Sequence, residues 1–225
     1  MSGQPSLNDT LTACLPVFSR LALSYAPAQA RQSTLALMAL DARLAAVLRS
    51  ASEPVMAQLR LSWRRVALAS SAEGRPRGEP LLALFDGWQA ETAGLLGLVD
   101  GWEELTAEPP LPTNALAAFL EGRAMAFCAL ARHLGEHASA DEAARCAKEW
   151  ALADLAARLS DPQEGEAVLA LAQEQRWVRA RLPRSLRPLA ILHGLAARQM
   201  RKGRLSASPG AASLLVAMRI GLAGR

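Results

Sequence analysis

LSYAPAQARQSTLALMALDARLAAVLRSASEPVMAQLRLSWRRVAL, from Leu23 to Leu68, is the stretch that decides the fold. Pro27 breaks the chain and opens a helix expected over about Ala28–Ser50. Leu37, Leu40, Leu44, Val47 and Leu48 recur at helical spacing and form one apolar stripe. Ser52-Glu53-Pro54 reads as a cap followed by a first-turn proline, opening a further helix to about Ala69. The composition extends this pattern to the whole chain. Of its 225 residues, 51% are hydrophobic, mostly Ala and Leu, and only 4% are aromatic. Strong helix formers dominate while β-branched residues are few, so the expected class is all-α, as a single multi-helix bundle over residues 1–225.

Outward from that stretch, Asn8 or Asp9 can cap a first helix to about Leu23, with Pro16 as a kink or true start. Ser70–Pro80 is a loop rich in Gly, Pro and charge. Helices are expected over about Pro80–Trp88 and Thr92–Leu105, and from a cap at Thr113 or Asn114 to near Gly135. Ser139 and Glu142 have capping-box spacing ahead of AARCAKEWALADLAARL. Asp161-Pro162 ends the helix of that run or starts the next one, which runs to about Arg181. Another spans Pro183–Lys202, with Pro188 as a candidate kink, and Ser208 and Pro209 are the cap and first-turn residue of the last.

The charge is unevenly placed. Of the 25 Lys and Arg residues, eleven lie between Gln175 and Arg225, where no Asp or Glu occurs. The remainder holds all 21 acidic residues against 14 basic ones. A basic C-terminal part (175–225) therefore follows an acidic body. It can pair with that body, lie on anionic lipid, or meet an acidic partner. Nucleic acid is not expected as a partner, because aromatics are scarce in the basic part and no binding motif appears. Cys14, Cys128 and Cys146 are widely spaced, as expected of buried free thiols in a reducing cytoplasm. The N-terminal residues lack the pattern of a signal peptide, and no apolar run approaches a membrane span; the longest, Ala211–Ala217, is expected as a core or docking helix. A cytoplasmic protein, with a possible peripheral place on the inner membrane, is the expectation.

Phosphate-loop, dinucleotide and hydrolase-elbow motifs are missing. His133 and His137 are spaced as helical metal ligands, but Gly135 between them marks a helix end, so no metal site is expected. Asp41 falls near Met38, Ala45 and Leu48 at helical spacing and so points inward. It then needs a cationic partner, such as Arg64 or Arg65, or a polar cavity to line. Asp154 poses the same question from a second helix.

The order of LALMALDARLA, LSWRRVAL, PLLALFDGW, LLGLVDGWEEL and FLEGRAMAFCALARHLG resembles the squalene/phytoene synthase family, over about Leu21 to Lys202. Trp63-Arg64 and Asp100-Gly101 match its phrases well. The resemblance implies the all-α isoprenoid synthase fold. In that family two aspartate-rich motifs face each other and hold Mg²⁺ against a substrate diphosphate. Here the first motif's acids fall on Ala45, Ala46 and Arg49. Asp154 replaces an amide in the second, and Arg158 stands near the expected acid. The resemblance therefore implies a non-catalytic relative, with no catalytic or metal-binding residue and no cofactor. It implies a protein that binds an isoprenoid or lipid in a residual cavity lined by Asp41, Ala45, Arg49, Trp63, Arg64 and Asp154, or that acts as an assembly factor. The family also contains assembly factors of respiratory complex I, so a protein partner of that kind is a further expectation. Two alternatives stay open: an active head-to-head prenyltransferase with a divergent Mg²⁺-dependent site, and a helical scaffold with a filled core.

Overall fold

The computed structural model describes residues 6–51, 53–76, 78–203 and 209–224. Among them there are eleven α-helices and no strand. The first expected helix is two. Ser6 caps α1 (Leu7–Ala13) through a reciprocal capping box with Asp9, and α2 (Val17–Leu23) starts after Pro16, as that residue's missing N–H requires. Then come α3 (Ala28–Ser50) and α4 (Pro54–Ala69), with the bounds that Pro27 and Pro54 announce. Ser52, expected to help cap α4, and Ser208, expected to cap the last helix, lie outside the described residues; Glu53 and Gly210 are the residues at the two N-caps.

The chain continues through α5 (Pro80–Ala83), α6 (Thr92–Glu104), α7 (Thr113–His133) and α8 (Ala140–Ala156). It ends with α9 (Pro162–Glu174), α10 (Arg187–Arg201) and α11 (Ala211–Ala223). α5 is only one turn, so the Pro80–Trp88 expectation is too long. Ser139 precedes α8 without a side-chain cap: it ends a 3-10 turn at φ −104° and ψ 3°, not in the extended backbone of a cap, and Glu142 is turned to Arg145 and to the Arg181 backbone N–H. Asp161 and Pro162 start α9, and the Asp161 side chain caps it, accepting from the N–H groups of Gln163 and Glu164. That helix stops at Glu174, and an extended segment carries the chain to Pro183. Pro188 sits in the first turn of α10 and produces no kink there. Gly135 closes α7 at φ +78°, with Glu136 N–H returning to Ala131 and Gly135 N–H to Arg132, a Schellman closure.

α3 is the central rod. Every residue from Thr34 to Asp41 is buried, so this part of the helix is covered all round. α1, α2, α4, α6 and α7 pack about it, and α8 and α10 complete the bundle. One contiguous apolar cluster runs from Leu11 to Ala217. The closest crossing is α6 on α7. Gly101 of α6 lies against Gly122 of α7, and a Cβ on Gly101 would stand 2.9 Å from the Ala118 carbonyl oxygen. Close approach there brings the next residues, Trp102 and Arg123, to the same level of the core.

Contrary to the reading of the apolar runs, α7 is long and apolar enough to cross a membrane; 67% of its most apolar window is buried inside the bundle. The cysteines also differ from expectation. Cys146 is buried, which pushes its thiol up to about 12, but Cys128 is half-buried and Cys14 exposed.

Candidate functional site

The centre of the bundle holds a charge cluster built on three helices. Asp41 comes from α3, Arg123 from α7 and Asp154 from α8. Arg123 is fully buried. Its Nε and Nη2 donate to the two oxygens of Asp41 at 3.1 and 2.9 Å, a bidentate fork. Its Nη1 makes an ion pair with Asp154 Oδ2 at 2.7 Å. Asp154 also receives a fork from Arg158, one turn later on α8, at 2.8 and 2.9 Å. The Trp102 indole N–H from α6 donates to Asp41 Oδ1 at 2.8 Å.

Aromatic rings enclose the guanidinium. Its central carbon lies 4.5 Å from the ring centre of Trp150, 4.8 Å from Phe119 and 5.3 Å from Trp102. Arg123 thus carries two kinds of electrostatic support, from carboxylates at its edge and from ring faces around it. Two carboxylates and two guanidiniums leave the cluster neutral. That balance is what allows charge to stand in an apolar interior, since an unpaired ion there costs several kcal/mol.

Burial on its own would raise the Asp154 carboxyl. The charges of Arg123 and Arg158 outweigh it and hold the group below the ordinary carboxylate value. Asp154 therefore contributes stability that is fully present above its unfolded value of about 3.9, and that is lost as pH falls through the lower folded value. Melts at descending pH are expected to steepen in their loss of stability below about pH 4. The Asp154→Asn variant should show a shallower decline over that window. An identical decline in both proteins would exclude Asp154 as a source of the acid sensitivity.

The expected cavity residues do not share one cavity. Asp41 and Asp154 meet through Arg123, not through Arg64 or Arg65. Arg65 instead pairs with Asp100 on the surface at 2.6 Å, and Arg64 donates to the Arg60 carbonyl. Trp63 is 44% exposed, and Arg49 is exposed in the last turn of α3. Ala45 is buried beside a void of about 10 Å³ that also touches Asp41, Phe127, Trp150 and Arg158. That space is about the size of one water. His133, read as one of a histidine pair, stacks on Trp88 with ring centres 4.2 Å apart.

Arg123 was not singled out from the sequence. Its signal is there: Leu116, Phe119, Leu120, Arg123, Ala126, Phe127 and Leu130 form one helical stripe. A cation in the middle of an apolar stripe must find buried anions.

The site does not fit Mg²⁺. All four carboxylate oxygens of Asp41 and Asp154 already face guanidinium nitrogens. Among the described residues no group of three His, Cys, Asp or Glu side chains converges on one point. The fold and site thus define an all-α bundle whose polar centre is neutralised from within. No protein-family model, curated protein or solved structure matches this chain.

Proposed function

We propose that this is a non-catalytic squalene/phytoene synthase-like protein, with the isoprenoid synthase type of helical fold, that acts through its surface as an assembly or docking factor. The observation that carries the reading is Arg123. Its guanidinium lies between Asp41 and Asp154, where an open synthase cavity would need free carboxylates and space for a diphosphate. The void of about 10 Å³ between α3 and α8 is too small for an isoprenyl chain, and the adjoining cleft of about 240 Å³, lined by Trp150, Asp154 and Arg158, opens between α2, α8 and α10 and not between α3 and α8. Without several free carboxylates to gather Mg²⁺, a diphosphate remains a poor leaving group.

Surface action is supported by α4. Val55, Met56, Leu59, Trp63 and Val66 are all exposed and fall on one side of that helix. Trp63, expected to line a cavity, belongs to this outward stripe. An apolar helix face of this kind suits a protein partner.

Incubation of the protein with Mg²⁺ and farnesyl or geranylgeranyl diphosphate is expected to release no pyrophosphate above a protein-free blank. Release at an ordinary enzymatic rate, on the order of one per second or faster, would overturn the reading.

A further inference from the structure

The basic C-terminal part forms a cleft of about 470 Å³ between α10, α11 and the extended segment before Pro183. Arg179, Arg187, Arg198, Arg201 and Arg219 line it, and no Asp or Glu does. Its walls are apolar, with Trp177, Leu182, Val216 and Ile220 among them. The arginines are not spent on the acidic body. Arg204 and Arg225 lie outside the described residues; of the nine described Lys and Arg side chains from Arg176 onward, none pairs with a described carboxylate. Arg179 and Arg187 donate to backbone carbonyls of Gly224 and Ile220, which ties the cleft to the end of α11. His193 at the floor is held by Glu149 of α8 at 2.6 Å, so the base of the cleft is anchored to the bundle.

α11 itself is not a core helix, although its sequence is the most continuous apolar run in this part of the chain. Ala217 is its only buried residue. Leu214, Leu215, Met218 and Leu222 are 45%, 66%, 48% and 75% exposed. Arg219 lies four residues after Leu215 and three before Leu222, so the three share one strip of the helix. That strip joins the exposed apolar face directly to the arginine-lined cleft.

We propose that this face docks on an anionic phospholipid membrane. The cleft takes a lipid phosphate, and the α11 leucines and Met218 enter the boundary between headgroups and acyl chains. Charge complementarity selects this occupant. Five arginines without a carboxylate match a phosphate surface, and an apolar strip bordered by arginine is the pattern of an interfacial helix. The inference uses residues remote from Arg123 and does not depend on how the core cluster is read.

The test is cosedimentation of the full chain with vesicles of phosphatidylcholine alone, or with one lipid in three replaced by phosphatidylglycerol. Binding is expected only with the anionic lipid and is expected to fall as salt is raised. The R201Q/R219Q variant alters two exposed side chains and should fold normally. It is expected to bind roughly tenfold or more weakly, while L222N, which removes apolar surface without adding charge, should also weaken binding. Equal binding to neutral vesicles, no binding to either, or an unaffected R201Q/R219Q variant would overturn the proposal. So would capture of short-chain phosphatidate in solution without vesicle binding, or binding to RNA in preference to anionic vesicles.

Discussion

Arg123→Met is expected to destabilise the protein by about 3–5 kcal/mol, because it strands two buried carboxylates around an apolar side chain. Methionine fills similar space, so the loss is electrostatic more than steric. Asp41 would keep the Trp102 indole, and Asp154 would keep Arg158, but each would lose its shared cation. For a chain of this size the melting temperature should fall by roughly 6–20 °C. Arg123→Lys is expected to recover little, since a single ammonium cannot reproduce a fork to Asp41 together with a contact to Asp154. Adding Asp41→Asn to Arg123→Met should restore on the order of 1 kcal/mol by removing one unpaired charge. Denaturant titration of the three variants measures all of this. A methionine variant as stable as the parent would mean that the cluster does not hold the core together.

The second large effect is expected at the α6–α7 crossing. A methyl group at Gly122 would overlap the Gly97 carbonyl oxygen and stand 3.2 Å from the Gly101 Cα. Both obstacles are backbone, so neither can rotate away, and the helices must part. Gly122→Ala should cost about 1–3 kcal/mol, even though alanine is the better helix former. It should also disturb the placement of Arg123 and Trp102, which follow the two crossing glycines. Gly97→Ala is the control. Its new methyl would meet the Met125 sulfur at 3.0 Å, and that thioether can shift. Thermal melts are expected to separate the two substitutions clearly; equal melting temperatures would show that the crossing has slack.

Much of the helical order was legible in the chain because its signals are local. Pro27 and Pro54 set the starts of α3 and α4 through φ and the missing N–H, and Asp161 caps α9 through its own side chain. Of the stripe Leu37, Leu40, Leu44, Val47 and Leu48, the first four are buried as their spacing implies and Leu48 is partly buried. The Glu142 half of the capping-box reading failed for a non-local reason. Glu142 had a better use, holding Arg145 and the Arg181 backbone, the latter 39 residues away. The last apolar run was ambiguous for the same kind of reason: whether α11 is core or surface depends on what packs over it.

By itself the sequence determined that the chain is helical, that Asp41 faces inward, and that its cations gather at one end. Helix periodicity and proline chemistry act over a few residues, so these properties can be read in place. Only the tertiary structure decided what meets Asp41. Its partner lies 82 residues further on, and the pair forms because α3, α7 and α8 converge around a core too apolar to leave either charge alone.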